Sequence, residues 1–156
     1  MPQFLDVRII HLDPMRVASV VSDGATPEMN ALAMMLHWAR QHQLLEGRHL
    51  PRFFGFDAPE APNSPTTHAY EIWMTVPPTA LGDAVVEIKE FTGGLYAVTR
   101  VQGVENIFPT WQRLERWVAG SNFHASDRPC LEEHVRFIDL MTDDFEVDLY
   151  LPIEES

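Results

Sequence analysis

Lysine is all but missing from this chain. Lys89 is the sole lysine in 156 residues, and 11 basic side chains face 23 acidic ones for a formal charge of −12. A surface so poor in positive charge repels phosphate. That argues against direct contact with nucleic acid; such a surface attracts cations or a basic protein face, or simply keeps the chain soluble. Cysteine is as scarce. Cys130 alone excludes an intramolecular disulfide and a cysteine zinc cluster. Beside a strand start it reads as a small buried apolar residue. No apolar run reaches the length of a membrane-crossing helix. Met1-Pro-Gln-Phe-Leu-Asp6 lacks the basic region and apolar stretch of a secretory signal, so a cytoplasmic protein without membrane contact is expected. The chain has seven histidines, but His37 and His42 point to different sides of a helix and no HExxH spacing occurs. No metal site and no cofactor is expected.

What is present is enough for one sizeable core. Apolar residues make up 46% of the chain, and the length suits a single domain over residues 1–156 or two halves sharing a core. Residues 3–12 and 15–21 read as strands separated by Asp13-Pro14. Thr26-Pro27 is an N-cap followed by proline in the first turn of a helix expected over 27–46. Its apolar stripe is Met29, Leu32, Met35, Leu36 and Ala39, and Gly47 follows it as a stop. Strands are expected at 52–57 and 70–77, joined by a proline-rich loop over 58–66. Further strands follow at 86–91 and 95–101. A second helix, 107–120, is capped by Asn106 and carries Ile107, Trp111, Leu114 and Val118 on one face. Strands at 129–137 and 145–152 close the chain.

The two halves match. With an offset of 79, Val7 falls on Val86, Ala18 on Ala97, Met35 on Leu114 and Trp38 on Trp117. With an offset of 75, the strand Tyr70–Pro77 falls on Phe145–Pro152. The pattern predicts an α+β fold of duplicated β-β-α-β-β units, with pseudo-repeats over 3–77 and 84–153 and pseudo-twofold symmetry. The strands would form a curved, mainly antiparallel sheet, with both helices on one face and a ligand cleft on the concave other. Strand alternation assigns the side chains. Tyr70, Ile72, Met74, Val147 and Leu149 are expected toward the helices. Trp73, Tyr96, Tyr150, Glu132 and His134 are expected on the concave face.

Several segments then resemble the GyrI-like small-molecule-binding family, which includes effector-binding domains of bacterial multidrug-responsive transcription regulators. Gly93-Gly-Leu-Tyr-Ala-Val-Thr-Arg-Val-Gln-Gly103 is similar to its glycine turn and Tyr-Ala-Val segment. Trp111–Trp117 is similar to its second-helix tryptophan pattern, Pro129-Cys-Leu-Glu132 to its acid-bearing strand, and Leu149–Ile153 to its terminal strand. The resemblance spans about Val7 to Ile153. It departs where the family commonly has tyrosine two residues after the acid and this chain has His134.

Read by periodicity alone, Glu132 is a solvated strand acid. The resemblance makes it the acid of a ligand pocket walled by Trp73, Tyr96 and Tyr150, with His134 as its hydrogen-bonded neighbour or a proton carrier near neutral pH. A buried carboxylate among aromatic rings suits a bulky, amphipathic cation. The resemblance implies a stand-alone small-molecule-binding protein that sequesters such compounds or senses them in transcription regulation. It also admits a hydrolase of reactive small molecules with Glu132 as general base, and a gyrase-inhibitor-like protein-interaction module. The family's regulators carry a helix-turn-helix on the same chain, and no such segment is expected before Val7.

Overall fold

The structure, a computed structural model, describes residues 5–23, 26–47, 51–58, 69–136 and 146–155. The expectations for Gly24, for most of the 58–66 loop, and for Phe137 and Phe145 lie outside them. Among the described residues, nine strands and two α-helices follow in the order β1 (Arg8–Leu12), β2 (Met15–Ser22), α1 (Pro27–Gln41), β3 (Phe53–Ala58), β4 (Ala69–Thr75), β5 (Glu87–Phe91), β6 (Gly94–Gln102), α2 (Ile107–Ala119), β7 (Phe123–Ala125), β8 (Leu131–Arg136) and β9 (Glu146–Glu155). The β-β-α-β-β order occurs twice, as expected of this α+β fold, with β7 as an unforeseen short addition.

Two compact units result. One is continuous, Pro14–Thr92. The other is split, combining Met1–Asp13 with Gly93–Ser156. In the continuous unit β2 lies between β4 and β5, and β4 pairs onward with β3. In the split unit β6 lies between β1 and β9, and β9 also pairs with β8 and β7. All of these pairings are antiparallel. Each unit therefore contains the opening strand of the other repeat: β1 serves β6, and β5 serves β2.

The local reasons are legible in the chain. Pro27 opens α1 at a position whose N–H would have no intrahelical partner, although the Thr26 side chain makes no cap bond. The expected run of α1 to residue 46 is corrected: the helix ends at Gln41. Gln43 takes a left-handed φ of 58°, and Gln43 N–H and Leu44 N–H close back on Arg40 O and Ala39 O at 3.2 and 2.9 Å. That is a Schellman closure formed without glycine. Its buried stripe is Ala31, Leu32, Met35, Trp38 and Ala39, whereas Met29 is exposed. α2 follows a 3₁₀ turn at Val104–Asn106, and the Asn106 amide donates back to Gln102 O rather than capping the helix.

The core of the split unit fixes which sheet face meets α2. Leu114 and Val118 pack with Ala97, Val101, Val147, Leu149, Leu151 and Ile153, and Ile107, Trp111 and Trp117 border the cluster. The small Ala97 lets helix and sheet approach, as its sequence position suggested.

Candidate functional site

Register decides which side chains of the split unit share the face opposite α2. Val98 pairs with Tyr150, and Tyr150 with Leu131. Arg100 pairs with Asp148, and Asp148 with Glu133. Directly paired residues point to the same side of a sheet. Tyr96, Val98, Arg100, Asp148, Tyr150, Leu131 and Glu133 therefore form one face, joined by Arg8 from β1, which pairs with Val98.

This overturns the expected placement of Glu132 and His134. Glu132 pairs with Leu149 and His134 with Val147, two members of the core under α2. Glu132 Oε2 accepts a hydrogen bond from Trp111 Nε1 on α2 at 3.3 Å. The β8 acid on the tyrosine face is Glu133, whose Oε1 accepts the Tyr150 hydroxyl at 2.7 Å. His134 is buried, and burial pushes its imidazole down to about 4, with the nearby Glu133 charge opposing the shift. A shift in that direction favours the neutral imidazole.

Tyr96 and Tyr150 do come together, ring centroids 5.7 Å apart and edge to face. Beyond them Asp148, 5% exposed, is bracketed by cations. The Arg100 fork reaches it at 2.9 and 3.2 Å, and Arg8 Nη2 lies 3.3 Å from Oδ2. The Asp148 bond raises the Arg100 pKa further above its already high ordinary value. Asp148 is thus matched by two arginines, and Glu133 is the carboxylate that accepts the Tyr150 hydroxyl. At the far end of the face the Arg128 guanidinium lies over the Tyr96 ring, 5.1 Å from its centroid.

Trp73 is a member of the continuous unit. Its Nε1 donates to Glu71 Oε2 at 2.6 Å, and its ring packs edge-on against Phe56 and tilted against Phe91, each centroid 5.0 Å away. Ser19 Oγ and Lys89 Nζ reach the same Glu71 oxygen, both at 2.8 Å. The sole lysine of the chain therefore neutralises a buried acid within its own unit. Ser19, Trp73 and Glu71 share a face because Ser19 pairs with Trp73 and Val21 with Glu71.

Sequence reasoning placed Tyr96 and Tyr150 on a common face but missed Glu133, Arg8 and Arg128. The signal lay in cross-strand partnership with β9, not in the alternation of β8 by itself. Cys130 also departs from expectation, being exposed. Among the described residues no group of three or more His, Cys, Asp or Glu side chains is arranged to hold a metal ion, and no helix is long and apolar enough to cross a membrane.

A family model described as a GyrI-like small molecule binding domain matches residues 5–154. Among solved structures, a hydrolase from Listeria innocua aligns over 95% of this chain and 91% of its own, with TM-score 0.71 and 11% identity. The EcmrR C-terminal domain aligns over 99% of this chain and 100% of its own, with TM-score 0.69 and 11% identity. SAV2435 bound to tetraphenylphosphonium aligns over 96% of this chain and 94% of its own, with TM-score 0.59 and 13% identity. At these identities the structural likeness establishes the fold.

Proposed function

The chain belongs to the GyrI-like small-molecule-binding domain family, and from that premise we propose that it binds bulky, amphipathic cations to sequester or sense them. Glu133, acting with Tyr96 and Tyr150, is the recognition element. The observation that carries the reading is the Glu133 carboxylate hydrogen-bonded to Tyr150 on the face opposite α2, beside a second tyrosine ring. An acid in this setting is complemented by a cation whose apolar bulk lies on the rings: charge meets charge, and the aromatic faces add cation–π attraction. Asp148 does not compete for the ligand's charge, because two arginines already satisfy it. A solved structural neighbour holds tetraphenylphosphonium, a compound of this class. The test is calorimetry with tetraphenylphosphonium and neutral triphenylphosphine oxide. Tighter binding of the cation, lost in Glu133→Gln, is expected. Equal affinity of the two in the unmutated protein would sink the reading.

A second reading has one observation in its favour. Glu133 and Tyr150 place a carboxylate and a phenol 2.7 Å apart, and a carboxylate so placed can orient or deprotonate a water. The Listeria innocua neighbour is a hydrolase. Hydrolysis of activated esters or strained rings that disappears in both Glu133→Gln and Tyr150→Phe would favour it over binding alone.

A further inference from the structure

Tyr96 is 0% exposed, yet its hydroxyl has no hydrogen-bond partner among the described residues. Burial holds this phenol above its ordinary pKa, and the adjacent Arg128 guanidinium opposes that shift. Arg128 is itself incompletely used. Both of its hydrogen bonds leave from Nη2, to Leu95 O at 2.6 Å and Ile153 O at 3.2 Å. Its Nε is buried without a partner. No carboxylate among the described residues pairs with it, so a half-buried positive charge is held by backbone carbonyls and the Tyr96 ring. The fold makes room for this arrangement. Gly94 has φ of 138°, and a Cβ there would lie 2.6 Å from Arg128 Cζ. Two buried donors that lack acceptors, one neutral and one cationic, flank the same aromatic ring. Buried donors in native proteins are nearly always satisfied, so their joint vacancy points to an acceptor supplied from outside.

We propose that Tyr96 Oη and Arg128 Nε form an acceptor subsite that takes a carbonyl or carboxylate oxygen of the bound amphipathic cation. The inference rests on the reading of the tyrosine face as the ligand site. It adds a second criterion to that reading: the ligand carries an oxygen acceptor at the end remote from the Arg8–Asp148–Arg100 cluster. The two subsites lie on one strand face, Tyr96 next to Tyr150 and Tyr150 bonded to Glu133. A single molecule with a cationic core and a carbonyl arm engages both. The Arg128 charge favours a carboxylate over an ester, and the Tyr96 hydroxyl serves either.

Three dyes with the same xanthylium cation separate the contributions. Tetramethylrosamine has a bare phenyl arm, tetramethylrhodamine methyl ester adds a carbonyl, and tetramethylrhodamine adds a carboxylate. Fluorescence anisotropy on the full chain reads their affinities. The ester and carboxylate dyes are expected to bind about tenfold tighter than the rosamine. That preference ratio should fall toward one in both Tyr96→Phe and Arg128→Gln. Arg128→Lys should keep part of the carboxylate preference, because it retains charge, and reduce the ester preference to what the Tyr96 hydroxyl alone supplies. Rosamine binding with no preference for the oxygenated dyes overturns this inference and leaves the cation reading standing. Preference that persists in both Tyr96→Phe and Arg128→Gln also overturns it. Failure of all three dyes to bind overturns the cation reading and this inference together.

Discussion

Replacing Glu133 by glutamine removes one negative charge and almost no volume. The Tyr150 hydroxyl, 2.7 Å from Glu133 Oε1, retains an oxygen to donate to. Folding should therefore survive, and the change should report on charge alone. A unit charge about 5 Å from the carboxylate gains about 3 kcal/mol at an effective dielectric constant of 20. Glu133 is only half-buried, so solvent reduces this to about 1.5–2 kcal/mol, a loss of roughly 10- to 30-fold in affinity. Calorimetry of tetraphenylphosphonium against triphenylphosphine oxide measures it. The phosphonium should weaken by that factor while the neutral oxide changes by less than about twofold. Glu132→Gln is the internal control, since that side chain bonds Trp111 on the other side of the sheet. Its effect on the cation should be within about twofold. If Glu132→Gln weakened the phosphonium more than Glu133→Gln, the register argument behind the site would be wrong. If both ligands lost affinity equally, the role of charge would be refuted.

Three further outcomes follow from other parts of the molecule. His134 has a folded pKa of about 4 against an unfolded value near 6.5, so the unfolded chain binds the extra proton between these values. Its contribution is present above about pH 6.5 and lost as pH falls to 4, about 3 kcal/mol in all, and urea titrations should show His134→Gln with a flatter pH dependence across that window. Gly93→Ala should lower the melting temperature by about 5 °C or more in calorimetry, because φ is 74° there and a Cβ would strike the Leu12 carbonyl; an unchanged melting point contradicts the described turn. Asp148→Asn should cost about 1–2 kcal/mol in urea titrations, limited by the solvation left to Arg8 and Arg100, whose side chains are about half exposed; no loss would mean the two arginines stabilise nothing.

Both helices, the duplication and most strands were legible because their signals are local. Pro27, the Leu114–Val118 stripe and the glycine turn at Gly93-Gly94 each act within a few residues. The site was read less well, for a reason visible in β8. Alternation identifies the core face of a strand only when the other face is solvated. Here Leu131, Val98, Tyr96 and Tyr150, opposite α2, are 0–3% exposed, as deeply buried as Leu149 and Val147 beneath it. With both faces apolar, the set containing Leu131 and Val135 looked like the helix side and carried Glu133 with it. Only the pairing of Leu131 with Tyr150 resolves the ambiguity, and cross-strand register is not written in one strand. The end of α1 was missed for a different reason. Gln43 adopts a conformation that glycine or asparagine usually supplies, so no residue type marked the stop.

The exchange of opening strands bears on how the chain is made. Arg8 in β1 finds its partner in Val98, 90 residues later, and β6 then needs β9 at the far end of the chain. During synthesis at about 5–20 residues per second, β1 waits about 5–20 s for a partner. The continuous unit has all its strands once Phe91 has emerged. The ribosome therefore releases the two units in a fixed order, and the one carrying Tyr96, Tyr150 and Glu133 is completed last. Ile9 and Ile10 spend that interval on an unpaired strand, the kind of segment that nascent-chain chaperones shield.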